Sequence, residues 1–238
     1  MGNQEKLLLI PIVLWVLSGC SSQPAQPLQI QVLQQLPALA AEFETTVETD
    51  GHGDEPARSY RWRFWRAADY VETHNLHDDS GEIWSKSAGT FAYQQVFHNQ
   101  RQVIDYLPGD LKAIGAEPDW LAISTLLNQA TIAPLLVDNR EEALGRPALL
   151  YKSRSPDDVM EVSWLAREQL PALIKRSEHG HTLTTRIVAV YPLAQSPWPY
   201  RRSGDYAYTD FADIGDKEND AFIKSILPKI KGGQSHRH

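Results

Sequence analysis

Residues 60–65 read Tyr60-Arg61-Trp62-Arg63-Phe64-Trp65. Tyr60, Trp62 and Phe64 alternate with Arg61, Arg63 and Trp65, and that period of two is the signature of a half-buried strand. The alternation predicts that Trp62 and Phe64 face inward and that Arg61, Arg63 and the neighbouring Arg66 face water or the opposite side. Strand-like segments continue on both sides. Phe43–Thr49 is rich in threonine and valine, and Tyr70–His74, Glu82–Lys86, Thr90–Phe97 and Arg101–Leu107 follow at short intervals. Turn-forming residues separate them, among them Asp78-Asp79-Ser80-Gly81 and Ser87-Ala88-Gly89. Further segments of the same kind lie at Arg146–Lys152, Val159–Leu165, Leu170–Ser177, Thr182–Tyr191 and Tyr206–Phe211. Short strands joined by tight turns describe an antiparallel meander.

Three segments read as helices. Pro118–Ala130 places Trp120, Ile123, Leu126 and Leu127 on one face, starts with proline and contains no glycine. Leu28–Leu39 carries Leu28, Val32 and Leu36 near helical spacing, and Asp216–Ile226 forms a short terminal helix. The fold class is therefore α+β. A strongly curved antiparallel sheet forms a half-barrel, a central helix covers its concave face, and short helices lie at the ends. One domain runs from 28 to 231, and 232–238 is a polar tail.

The chain has 238 residues with 42% hydrophobic and 22% charged residues, which is enough apolar material for a packed core. Its formal net charge of −7 argues against a general nucleic-acid partner. One cysteine rules out an internal disulfide framework and a thiolate-rich zinc site. Residues 7–17, LLLIPIVLWVL, would span only about 16 Å as a helix, roughly half a bilayer core. They have the length of a signal-peptide apolar region. Leu17-Ser18-Gly19-Cys20 follows at once and resembles the bacterial lipobox. The resemblance implies removal of 1–19, acylation of Cys20 and firm membrane attachment through several acyl chains. Residues 20–27 are then a lipidated tether of serine, glutamine and proline. Ser21, where aspartate would favour the inner membrane, points to the outer membrane, facing the periplasm.

The order of segments is similar to that of the periplasmic lipoprotein-carrier superfamily, which includes LolA, LolB and RseB. Three features carry the resemblance. One is the N-terminal helix leading into a strand meander. Another is Val162-Ser163-Trp164-Leu165 followed by Leu170-Pro171-Ala172-Leu173-Ile174-Lys175-Arg176, a strand, an "LP" turn and a second strand with basic residues. The third is the lipobox. The family implies a curved half-barrel with helices in its open face, and a carrier, sensor or assembly role. No individual site residue carries over.

The chemistry-bearing residues are few. His74, His77 and Asp79, with Asp78 and His98 near them, form the best metal candidate, because imidazole and carboxylate together ligate divalent ions. The same residue types are common in turns for conformational reasons. His179 and His181, and His52, also lie in turn or loop sequence. Glycine-rich phosphate loops, G-x-S-x-G and H-E-x-x-H do not occur. A triad assembled from distant residues stays open, so a hydrolase or metal-dependent enzyme on the same scaffold is the alternative reading. The acidic set Asp210, Asp213, Asp216, Glu218 and Asp220 lacks calcium-loop spacing and suits a helix N-terminus. Aromatic residues are the strongest sign. Trp62, Phe64, Trp120, Leu126 and Trp164 are candidates to line an apolar cavity beneath the 118–130 helix. The leading expectation is a non-enzymatic envelope lipoprotein without a cofactor. Cys20 ties it to the membrane, and it holds an acyl chain or an envelope protein.

Overall fold

The computed structural model describes residues 35–49, 57–153, 159–178, 180–200 and 203–233. The lipobox with Cys20, the tether, most of the segment expected as an N-terminal helix, His52, His179 and most of the polar tail lie outside the described residues, and the first two residues of that tail end the last helix. From Leu39 onward that segment is strand, because Leu39, Ala41 and Phe43 alternate into the core.

Among the described residues twelve strands form one sheet. The first six are β1 (Leu39–Thr49), β2 (Arg58–Arg66), β3 (Tyr70–Asn75), β4 (Ser80–Ser87), β5 (Thr90–Phe97) and β6 (Gln102–Tyr106). After three short helices come β7 (Leu136–Ala143), β8 (Arg146–Lys152), β9 (Val159–Leu165), β10 (Leu170–Glu178), β11 (His181–Pro192) and β12 (Ala207–Asp210). The spatial order is β12-β6-β5-β4-β3-β2-β1-β11-β10-β9-β8-β7. The two outermost strands, β12 and β7, do not pair with each other, so the sheet is curved and unclosed. Register shifts at Glu42/Phe43, Pro171/Leu173 and Val137/Asn139 mark bulges, the device that bends a strand. All neighbours are antiparallel except β12, which runs parallel to β6. The expected "LP" turn is displaced. Residues 166–169 make the turn, and Pro171 already pairs with Trp164 inside β10.

Register decides the faces. Phe43 pairs with Trp62, Ala41 with Phe64, and Leu39 with Arg66. Trp62 and Phe64 therefore share the inner face with Phe43, as the alternation predicts. Phe64 is fully buried and Trp62 half-buried. Arg61 and Arg63 point the other way, toward Glu42. Arg66 does not follow them. It is in phase with Trp62 and Phe64, and it is fully buried. Its guanidinium donates to the carbonyls of Pro37, Ser124, Glu168 and Gln169, which is what permits an inward arginine.

The expected central helix is two pieces, α2 (Trp120–Thr125) and α3 (Gln129–Ile132), preceded by α1 (Pro108–Ala113). The break has a local cause. The Ser124 and Thr125 hydroxyls donate back to the Trp120 and Leu121 carbonyls, and Leu126 adopts φ 65°, a left-handed helix end. Asn128 then starts α3 by accepting from the Thr131 amide. The terminal helix α4 (Ala221–Gly233) begins later than expected, because the Asp220 carboxylate caps the Phe222 and Ile223 amides.

Two cores result. The larger gathers Phe43, Phe64, Val71, Trp84 and Tyr93 with Ile223 and Ile226 of α4. The smaller gathers Trp164, Val162, Met160 and Tyr151 with Leu127, Ile132 and Leu135. In the smaller core the Tyr151 hydroxyl is buried and makes no hydrogen bond among the described residues. Burial pushes its pKa up to about 12. The folded form therefore keeps a proton that the unfolded chain, near pH 10, has lost, and stability falls as pH rises from about 10 to 12. Tyr151→Phe should stabilise the protein by about 1 kcal/mol at neutral pH and flatten that alkaline decline, measured as urea midpoints across pH.

Gly81, opposite His74 on β3, has a steric reason to be glycine. A Cβ there would lie 2.4 Å from the Thr73 carbonyl oxygen. Gly81→Ala, which in an open strand would stabilise slightly, should here cost about 1–3 kcal/mol in chemical denaturation.

Candidate binding cleft

An open cleft of about 390 Å³ lies on the inner face, across the end of the sheet where β3 runs into β4 and β5 reaches Phe97. Four neighbouring strands supply its polar floor. Thr73 of β3, Glu82 of β4 and Gln95 of β5 are successive cross-strand partners. The next row places Trp62, Asn75, Ser80 and Phe97 side by side. Thr45, Thr185 and Leu183 close the side toward β1 and β11.

The groups are held in place. Trp62 stacks on Phe43 with centroids 4.6 Å apart and 17° between planes. Its Nε1–H donates to Thr45 Oγ1 at 3.0 Å, and Thr45 shares a further hydrogen bond of 2.9 Å with Thr185. Glu82 Oε1 accepts from the Tyr93 hydroxyl at 3.0 Å, and Gln95 Oε1 accepts from the Tyr106 hydroxyl at 3.1 Å. Thr73, Glu82 and Gln95 stand on the face where their strand neighbours Val71, Trp84 and Tyr93 are buried core. Polar residues at core-phase positions break the local pattern, as functional sites do.

Of the aromatic and apolar candidates, Trp62 lines this cleft. Phe64 lies in the packed larger core and Trp164 in the smaller one. Trp120 and Leu126 pack against the larger core. Trp120 meets Phe91 at 6.1 Å and Lys86 at 5.0 Å, near the β4–β5 turn and so at the opposite end of those strands from the cleft. The cleft thus lies away from the 118–130 segment, and its lining is mixed.

The histidine candidates belong to the other face. His74 is buried, its Nε2 lies 2.6 Å from Asp79 Oδ1, and its ring meets that of His98 edge-on at 4.9 Å. His98 Nδ1 is 3.1 Å from the Tyr206 hydroxyl. Asp78 accepts from Ser80, and His77 is exposed. Among the described residues no three His, Cys, Asp or Glu side chains form a metal-holding group. The His74–Asp79 and His98–Tyr206 pairs join the β3–β4 turn, the β5–β6 turn and the entry to β12.

The outer face also holds a second aromatic group. Trp65 donates to the Trp198 carbonyl at 2.9 Å, and Tyr70 meets Tyr200 edge-on at 5.3 Å. The Tyr70 hydroxyl donates to the buried Glu72 at 2.6 Å, and burial, then that carboxylate, pushes its pKa strongly upward. No spacing in the sequence marks Thr73, Glu82 or Gln95 as a set. Only the register of β3, β4 and β5 brings them together.

No family model matches the sequence, and no curated protein matches it. Solved structures show partial likeness. The MucA/MucB complex of Pseudomonas aeruginosa gives a TM-score of 0.39 at 10% identity over 66% of this chain. The match covers 52% of that chain, about half its length. An uncharacterized conserved protein from Thermus thermophilus gives 0.40 at 11% identity, covering 71% of this chain and 90% of that one. A putative outer membrane lipoprotein-sorting protein domain from Vibrio parahaemolyticus gives 0.31 at 8% identity, with 71% and 90% covered.

Proposed function

We propose that this is a membrane-anchored envelope protein that binds a ligand on the inner face of its sheet, and that it is not an enzyme. The observation that carries this reading is the cleft itself. It is open, lies within the ~300–1,000 Å³ range of small-ligand sites and presents polar groups on a face otherwise given to core. Among the described residues Glu82 is the one carboxylate in its lining, already bonded to Tyr93, and no His, Cys or Lys joins it. Binding asks only for such hydrogen-bonding groups, whereas acid–base catalysis asks for a side chain placed on the proton it moves. The ligand offers both an apolar and a polar part. An acyl chain would find Trp62, Phe97 and Leu183, but it would also lie across Thr73, Asn75, Glu82 and Gln95. Native mass spectrometry of protein purified from its own envelope tests the reading. A co-purified species should be present and should be lost when Thr73→Trp fills the cleft. Protein that is empty in both forms refutes it.

Anchoring rests on the lipobox-like Leu17-Ser18-Gly19-Cys20. We read Cys20 as the acylated mature N-terminus at the outer membrane, facing the periplasm. Cys20→Ala should move the protein from the membrane fraction to the soluble fraction, or leave it unprocessed. Membrane association unchanged from wild type, followed by fractionation and intact mass, would refute acylation as the anchor.

A further inference from the structure

We propose that the ligand of this cleft is a neutral saccharide. The assignment rests on the reading of the cleft as the binding site and adds the chemical class of what it takes.

Charge narrows the choice first. Among the described residues none that lines the cleft is lysine, arginine or histidine, and Glu82 contributes a carboxylate. A phosphate, a sulfate or the head of a fatty acid would meet repulsion and no counter-charge. An alkyl chain fares little better. It would strip water from Thr73, Asn75, Glu82 and Gln95 and return no hydrogen bond, so each polar group would be left unmatched.

A pyranose ring matches both halves of the lining. One of its faces is a set of C–H groups, which pack on an aromatic plane, and Trp62 is fixed for that role by its stack on Phe43 and its bond to Thr45. Its hydroxyls each donate and accept. Side-chain bonds already made to the cleft groups set which atoms remain for them. Gln95 is oriented by the bond its oxygen accepts from Tyr106, and its amide N–H groups are donors for a ligand. Glu82 has Oε1 occupied by Tyr93, so Oε2 is the acceptor left. These two residues are direct cross-strand partners, with Thr73 opposite Glu82 on the other side. A donor, an acceptor and a hydroxyl thus stand in one row, about 5 Å from strand to strand. Neighbouring hydroxyls of a sugar present the complementary alternation. The cleft is open, so an oligosaccharide can run through it.

The test uses the full chain with two probes, maltotetraose and tetra-N-acetylchitotetraose, read by tryptophan emission and calorimetry. At least one should saturate, and its affinity should change little between low and high salt, because no ion pair is involved. Gln95→Leu should weaken it about tenfold or more, since the donor is removed while the shape is kept. Glu82→Gln leaves its one oxygen on Tyr93 and turns an N–H donor toward the sugar, whose hydroxyl can accept instead of donate, so it should weaken binding no more than about threefold. Near-UV circular dichroism shows that both variants are folded. If neither saccharide saturates while a fatty-acid probe or a lysine-rich peptide does, and Thr73→Trp blocks it, the saccharide assignment is wrong and the binding-surface reading stands. Saccharide binding that survives both Gln95→Leu and Thr73→Trp would place the sugar elsewhere and overturn the assignment. If no probe binds and native protein is empty, both fall together.

Discussion

Arg66→Met should cost about 3–5 kcal/mol in urea or thermal unfolding. Arg66 is fully buried, and its guanidinium donates to Pro37 O, to Ser124 O at 2.7 Å, to Gln169 O at 2.9 Å and to Glu168 O. Burial lowers its pKa to about 10, so it is still charged at neutral pH. These carbonyls come from three places that no strand ladder connects: the entry to β1, the end of α2 and the β9–β10 turn. Ser124 lies in the last turn of α2, where carbonyls have no intrahelical amide to meet them, and Glu168 and Gln169 lie in a turn. One planar fork serves them all. Methionine fills similar volume but takes the donor from four carbonyls, two of them in fully buried bonds. Arg66→Lys should not rescue it, because a single ammonium cannot span acceptors set out for a fork. A loss below about 1 kcal/mol for Arg66→Met would mean that water or local rearrangement replaces the guanidinium.

Arg66 also shows where the sequence was readable and where it was not. The alternation from Tyr60 to Phe64 is a local property, and it placed β2 and its faces correctly. The same period puts Arg66 on the inner face, yet charge alone suggests water. Only the carbonyls of residues 58, 102 and 103 positions away explain the outcome. Pro118–Ala130 failed for a related reason. Its apolar spacing suits one helix, but the back-bonding of Ser124 and Thr125 and the left-handed Leu126 end it halfway. Periodicity cannot register such hydroxyl bonds. β7 escaped because Leu136–Ala143 is an edge strand exposed along most of its length, so nothing in it alternates. The parallel pairing of β12 escaped because the chain crosses from β11 to β6 without a local cue. The cleft was the least legible part. Trp62 stood out as an aromatic in phase with the core, but Thr73, Glu82 and Gln95 look like ordinary strand residues until three registers align them.

Trp164→Ala should cost about 3–5 kcal/mol, the range for removing a large buried aromatic. Trp164 is 2% exposed and pairs with Leu149 on one side and Pro171 on the other. It lies with Val162, Met160 and Tyr151 in the core that receives Leu127, Ile132 and Leu135. That core has few other large members, so the cavity left by the indole has little to collapse onto it. The loss should be uneven. Hydrogen exchange in β7 and β8 and in the 127–135 segment should accelerate more than in β3–β5, whose side chains pack in the other core. Arg66 and Trp164 hold adjacent parts of the same chain, since one binds Ser124 O and the other packs with Leu127. Once either is lost, the α2–α3 segment is already loosened and the second change has less to remove. The double variant should therefore fall short of the sum of the singles by about 0.5–3 kcal/mol. Strict additivity would show that the two anchors act on separate cooperative units.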